Sequence, residues 1–192
     1  MSITIEKCIE GWTNSLRQLK VKADIVFFGD SLTYYGDFAS VFPHKVVCNL
    51  GLRGDTLDGM KKRLEQIQIV NPGVIFLMAG LNDVANCTAD EFGVRYDTLI
   101  RVIHHILPKS EIVLQSLLPV NNVEFDISCD NKQIVGCNKR IRALATLHSI
   151  RYIDLYSLYL REGVLPKEMT VDGIHLKKER YQNWYRLLTS NL

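Results

Sequence analysis

The sequence has almost no excess of charge of either sign. Its 192 residues hold 23 Lys and Arg against 21 Asp and Glu, which gives a formal net charge of +2. This small excess argues against a dedicated nucleic-acid-binding protein, which would concentrate basic residues on one face. The densest basic runs are Lys61-Lys62-Arg63 and Lys177-Lys178-Glu179-Arg180, and we interpret both as solvated helix faces.

Long apolar runs, paired cysteine motifs and repeats are also lacking. No apolar run reaches membrane-spanning length, and the first residues lack the charged start and apolar core of a signal peptide, so we expect a cytoplasmic protein. The odd number of cysteines, without C-x-x-C or nearby zinc-spaced histidines, predicts reduced thiols, no metal and no cofactor. These cysteines are Cys8, Cys48, Cys87, Cys129 and Cys137. The sequence does not decide between a monomer and a homodimer.

Short apolar stretches alternate with amphipathic ones, within what we expect to be one domain of residues 1–192. The apolar stretches lack polar alternation, which is typical of parallel strands covered on both faces. The predicted strands are Ala23–Phe28, Lys45–Leu50, Val74–Ala79, Glu111–Ser116 and Arg151–Leu155. The predicted helices are Ile3–Leu19, Thr56–Ile69, Thr88–Leu107, Asp130–His148 and Leu176–Leu188. This alternation predicts an α/β fold with helices on both faces of a parallel sheet, and a site beyond the carboxyl ends of its strands.

A serine follows the first predicted strand, in Gly29-Asp30-Ser31-Leu32. A serine hydroxyl becomes a nucleophile when an adjacent base takes its proton, and Ser31 is our candidate for that role. The structural alternative is a helix N-cap. Thr33 stands where the G-x-S-x-G nucleophile elbow has its second glycine, so the α/β-hydrolase motif is absent. We assign Asp30 a structural role, since adjacent residues of an extended chain point to opposite sides.

A carboxylate and an imidazole lie three residues apart in Asp172-Gly173-Ile174-His175. One short turn can bring both to the same side, so that Asp172 orients the ring and His175 acts as base toward Ser31. The structural alternative is an Asp-Gly turn followed by a capping histidine.

Gly54 and Asn82 follow the second and third predicted strands. A glycine lets substrate approach its backbone N–H, and an asparagine amide is a donor that does not titrate. Together with the Ser31 N–H they could face the negative charge of a tetrahedral intermediate. A turn glycine and an Asx turn or helix cap are the structural alternatives.

These four clusters, in this order, resemble the SGNH or GDSL family of serine esterases and lipases. The first cluster resembles the family's nucleophile block, Asn49–Thr56 its glycine block, Gly80-Leu81-Asn82-Asp83 its G-x-N-D block, and Asp172–His175 its D-x-x-H block. Any one block is common by chance, but four in order form a specific pattern. The compact platelet-activating-factor acetylhydrolase-like and carbohydrate acetylesterase branch is the most similar in appearance.

The resemblance implies a flavodoxin-like three-layer α/β/α sandwich with five parallel strands and no metal. It also implies a triad of Ser31, His175 and Asp172, and an oxyanion hole of Ser31, Gly54 and Asn82. The family is broad in substrate, so the fold does not fix the ester. We expect hydrolysis of short acyl, foremost acetyl, esters of small alcohols, carbohydrates among them, through an acyl-enzyme.

Other functions remain open at this stage. A lysophospholipase or thioesterase of the same family would share these residues. A non-catalytic flavodoxin-like module could hold a phosphate with Ser31 and Thr33, although Asp30 would then face the phosphate. A sugar-binding relative without activity would not need all four blocks. We expect a small-molecule ester as ligand, with no nucleic acid and no membrane span.

Overall fold

The computed structural model describes residues 5–190, apart from the side chains of residues 5, 6 and 8. The start of the predicted helix Ile3–Leu19 and the thiol of Cys8 therefore lie outside the described part. Cys48, Cys87, Cys129 and Cys137 are free thiols.

Five parallel strands form one sheet, as predicted. They are β1 (Ile25–Gly29), β2 (Val47–Gly51), β3 (Val74–Met78), β4 (Glu111–Gln115) and β5 (Arg151–Ile153). Their spatial order is β2-β1-β3-β4-β5, and every neighbouring pair is parallel. This is the flavodoxin-like order, whose switch point lies between β1 and β3. The predicted three-layer α/β/α fold is confirmed.

Eight α-helices flank the sheet in the described residues. They are α1 (Ile5–Leu19), α2 (Ser31–Tyr34), α3 (Leu57–Lys62), α4 (Glu65–Val70), α5 (Ala89–Ile106), α6 (Asn131–Leu147), α7 (Leu155–Tyr159) and α8 (Tyr181–Thr189). Short 3₁₀ turns occupy Phe38–Val41, Leu81–Asn86, Lys167–Met169 and Lys178–Arg180. Capping boxes at Thr88 and Asp130 fix where the two longest helices begin, because each box satisfies free backbone N–H groups.

Two predictions for the segment after β2 are wrong. The single helix expected over Thr56–Ile69 is divided into α3 and α4, with a break at Arg63 and Leu64. Arg63, which we expected on a solvated face, is 1% exposed. Its guanidinium is held inside the protein by groups from other segments, which a local charge pattern does not reveal.

The last helix packs into the core through its aromatic face. Tyr181, Trp184 and Tyr185 are buried, as predicted, and the indole N–H of Trp184 donates to Oε1 of Gln115 at 2.7 Å. The phenol of Tyr181 donates to the Leu32 carbonyl at 2.9 Å. The end of the chain therefore braces α2, the helix that begins at Ser31. In the described part of the chain, no helix has the length and apolar content needed to span a bilayer.

Candidate active site

Ser31 is placed by the junction between β1 and α2. Asp30 is the N-cap of α2, and its Oδ1 accepts from the Leu32 amide at 2.9 Å. Because Asp30 supplies the cap, the Ser31 hydroxyl is free for another partner, and the structural alternative of a serine cap does not apply. That partner is His175, whose Nε2 lies 2.8 Å from Ser31 Oγ.

His175 is held by a short, self-bonded loop. Asp172 Oδ1 accepts from the backbone N–H groups of Ile174 and His175, at 3.1 and 2.8 Å. Its Oδ2 lies 2.6 Å from His175 Nδ1. Gly173 has a positive φ of 88°, a conformation that favours glycine. It therefore allows the tight turn between Asp172 and His175.

The carboxylate of Asp172 is kept ionised by the loop around it. Burial opposes its ionisation, but the hydrogen bonds from the His175 backbone and ring and from the Ile174 N–H outweigh burial. The pKa of Asp172 is therefore lowered. A charged Asp172 favours a proton on Nδ1 of His175, which leaves Nε2 to accept the proton of Ser31.

Gly54 and Asn82 face the same cleft from the ends of β2 and β3. Gly54 has a φ of 72°, and a Cβ there would have no atom within 4 Å, so its backbone borders open space. The Asn82 amide donates to the Asp55 carbonyl at 2.8 Å. An amide nitrogen has two hydrogens, so a second donor of Asn82 is left for a ligand.

The predicted site residues surround one cleft of about 480 Å³. Ser31, Gly54, Asn82 and His175 line it, together with Asp30, Arg53, Leu81 and Ile174. Asp172 lies behind His175. The segment Leu118–Ser128, which follows β4, contributes no lining residue. It packs behind the loop of Asp172 and His175, where the Asn121 N–H donates to the Gly173 carbonyl at 2.8 Å.

A buried ion pair beneath the cleft escaped the sequence interpretation. Arg63 Nε lies 2.6 Å from Asp55 Oδ2, while its Nη atoms donate to the carbonyls of Leu50 at 2.7 Å and Gly29 at 2.9 Å. Burial raises the pKa of Asp55, and the attraction of Arg63 offsets part of that rise. One guanidinium thus joins the ends of β1 and β2 to the loop that carries Gly54.

A periodicity signal for this burial was present in the sequence. Arg63 follows Met60 by three residues and precedes Ile67 by four, and both neighbours are buried. That spacing places all three side chains on one helical face.

The Asp83 carboxylate also holds the loop between β2 and α3, which carries Gly54. Its Oδ2 accepts from the Leu57 N–H at 3.0 Å, and its Oδ1 lies 2.5 Å from Nη2 of Arg95. Thr56 is the N-cap of α3, and Asp83 accepts from the first backbone N–H of the same helix. Asp83 therefore ties the segment of Asn82 to the helix that follows Gly54.

The comparisons with known proteins identify the family of the chain. Residues 27–182 match the model of the GDSL-like lipase/acylhydrolase family. The human platelet-activating factor acetylhydrolase IB subunit alpha2 is 28% identical over 161 residues, 80% of this chain and 69% of the relative. A Streptococcus structure described as a candidate platelet activating factor is 25% identical, with a TM-score of 0.83 over 97% of both chains.

A GDSL-like lipase from Bacteroides thetaiotaomicron shares the fold at 22% identity, with a TM-score of 0.79 over 97% of this chain and 96% of its own. The fold is a three-layer α/β/α sandwich, and the candidate site lies at the carboxyl ends of its parallel strands. The chain belongs to the GDSL-like lipase/acylhydrolase family, and its class of activity is hydrolysis of esters.

Proposed function

We propose that this protein hydrolyses short acyl esters, foremost acetyl esters, of small polar alcohols, with Ser31 as nucleophile. The observation that carries the proposal is the 2.8 Å contact between Ser31 Oγ and His175 Nε2. A serine in contact with a carboxylate-bound imidazole is the arrangement that nucleophilic ester hydrolysis requires.

In the proposed first half-reaction, Ser31 Oγ attacks the acyl carbon while its proton passes to His175 Nε2. The carbonyl oxygen takes up the negative charge and faces the N–H groups of Ser31 and Gly54 and the amide of Asn82. Collapse of this intermediate breaks the ester C–O bond. The departing alcohol takes the proton from His175 and leaves the acyl group on Ser31.

The second half-reaction repeats these steps with water. Water attacks the acyl carbon and gives a proton to His175, and the Ser31 oxygen then leaves and recovers that proton. Asp172 holds the Nδ1 proton throughout and stabilises the imidazolium, since its Oδ2 lies 2.6 Å away.

The preference for a short acyl group is supported by two observations. The cleft is lined mostly by polar or small residues, and Leu81 and Ile174 are the larger apolar side chains among those that line it. The mammalian and avian relatives carry acetylhydrolase in their names. We therefore place acetyl esters, sugar acetates among them, ahead of the long-chain substrates of a lysophospholipase or thioesterase.

A fluorophosphonate probe and p-nitrophenyl acetate test the proposal. We expect mass spectrometry to find one adduct, on Ser31, and we expect Ser31→Ala to lose both the adduct and at least about 10³-fold in kcat. Ser40→Ala, at an exposed serine of the Phe38–Val41 turn, is the matched control and should retain both. Full activity in Ser31→Ala would refute the assignment, and binding without turnover of any ester would favour a ligand-binding module.

A further inference from the structure

Arg53 places a positive charge beside the nucleophile. It lies between the end of β2 and Gly54, is exposed, and lines the same cleft as Ser31 and His175. Nothing in the proposed chemistry of the triad or the oxyanion hole uses its side chain.

Among the described residues, the guanidinium of Arg53 has no carboxylate partner. Within residues 5–190, no Asp or Glu described lies within ion-pair distance of it, whereas Arg63, ten positions later, is fully paired. The carboxylates that accompany Ser31 and His175 are already hydrogen-bonded or buried. Asp172 is bonded to His175, and Asp30 is 1% exposed. The cleft therefore offers an unmatched cation to a ligand.

An aromatic contact directs this cation toward His175. The Arg53 Cζ lies 5.8 Å from the centroid of the Tyr35 ring, within cation–π range. The same ring stands edge-on to the His175 ring, with centroids 5.5 Å apart and planes at 84°. Tyr35 thus connects the guanidinium to the imidazole that must deliver a proton to the leaving alcohol.

We propose that Arg53 is a specificity-determining residue that binds a carboxylate or phosphate group carried by the alcohol part of the ester. A guanidinium fork presents two parallel N–H donors that match the oxygens of either group. The inference rests on the proposed ester hydrolysis. It restricts the expected substrates from esters of any small polar alcohol to esters whose alcohol part carries a negative charge.

Matched acetyl esters test this charge preference. 4-Acetoxyphenylacetate carries a carboxylate, 4-acetoxybenzylphosphonate carries a phosphonate in place of a phosphate, and 4-acetoxyphenylacetamide is neutral. A methylene insulates the phenol from each group, so the three leaving groups are similar. We expect kcat/KM to favour at least one anionic ester over the amide by about tenfold, because an exposed charge-assisted contact is of modest strength. The arm with the larger ratio distinguishes carboxylate from phosphate.

Variants of Arg53 show whether this side chain causes the preference. Arg53→Ala should bring the anionic-to-neutral ratio close to one, Arg53→Lys should restore part of it, and Arg53→Glu should invert it. Added salt should reduce the wild-type ratio, since mobile ions screen an exposed pair. Arg140→Ala, at an exposed arginine of α6, is the control and should leave the ratio unchanged.

The outcomes separate this inference from the proposed function. Turnover of all three esters with a ratio near one, or a ratio that persists in Arg53→Glu, would overturn the role of Arg53 alone. Failure to hydrolyse p-nitrophenyl acetate or any of the three esters would overturn the proposed function, and with it the inference.

Discussion

The two oxygens of Asp172 have different tasks, and this division leads to a prediction about catalysis. Oδ1 holds the loop through two backbone amides, and Oδ2 contacts the ring of His175. Asp172→Asn keeps an oxygen for the loop but loses the charge, so we expect a smaller loss of kcat than in His175→Ala. His175→Ala should be nearly as inactive as Ser31→Ala, because members of a triad act as a unit.

The pH dependence of p-nitrophenyl acetate hydrolysis checks the same assignment. Wild-type activity should fall in acid, because a protonated His175 cannot accept the proton of Ser31. If His175→Ala keeps most of the wild-type kcat and shows the same fall in activity at low pH, a group other than His175 acts as the base.

Asn82 is predicted to act in the transition state. Its amide already donates one hydrogen to the Asp55 carbonyl at 2.8 Å, which fixes the direction of the other. A donor aimed at the oxyanion stabilises a charge that the ground state lacks, so Asn82→Ala should lower kcat by about 10²–10³-fold with little change in KM. Steady-state kinetics distinguish this from a binding role, in which KM would rise while kcat stayed constant.

Ionisation of the buried Asp30 carboxyl is predicted to destabilise the folded protein, with the full effect reached above neutral pH. Burial raises its pKa to about 7, and Oδ2 has no hydrogen-bond partner among the described residues. The folded chain therefore holds this proton more tightly than the unfolded chain, and stability falls as pH rises from about 4 to about 7.

The variant Asp30→Asn cannot ionise, yet it keeps an N-cap oxygen. The free energy of unfolding of the variant minus that of wild type should therefore be larger at about pH 8 than at about pH 4.5, by on the order of 2–4 kcal/mol. Urea unfolding at both values measures the change. A difference between the two proteins that stays constant with pH would contradict it.

At the scale of structural elements, Arg63 links β1, β2 and the loop before α3. Its side chain reaches the ends of β1 and β2 and the loop before α3, and it also lies over the Phe28 ring at 4.3 Å. Arg63→Met would leave the buried Asp55 carboxylate without its partner, so we expect a loss of about 3–5 kcal/mol of unfolding free energy.

Urea unfolding with two further variants identifies the cause of that loss. Adding Asp55→Asn to Arg63→Met should recover part of the stability, because no charge is then left buried. Arg17→Ala removes an exposed pair with Glu65, on side chains 51% and 53% exposed, and should change stability by less than about 1 kcal/mol. Equal losses in Arg63→Met and Arg17→Ala would mean that the buried pair has no special role.

The same region shows where prediction from sequence stopped. Strand positions followed from apolar runs, and the order of the motifs placed Ser31, Gly54 and Asn82 at neighbouring strand ends. The division of the Thr56–Ile69 helix did not follow, because it depends on Arg63 reaching carbonyls 13 and 34 residues away in the chain. The place of Arg53 against Tyr35 likewise depends on two loops that meet only in the folded molecule.

At the scale of the whole molecule, the described residues that line the cleft belong to short turns and strand ends. The connection Leu118–Ser128 packs behind Gly173 and contributes no lining residue. Covering each further methylene would add about 0.8 kcal/mol, but an uncovered one adds little. Across C2 to C12 p-nitrophenyl esters, kcat/KM should therefore be greatest at C2 or C4. A maximum at C8 or longer would contradict this and favour a lipase or thioesterase.

Ser31 and His175 are 144 positions apart, yet their side chains touch. If Ser31 is the nucleophile and His175 the base, a nascent chain that ends before His175 should have no hydrolase activity. For the same reason, two fragments cut between these positions should be inert apart, and turnover on mixing them would report that the halves had found each other. Hydrolysis would thus report long-range folding directly, because it requires the end of β1 to meet the loop that precedes α8.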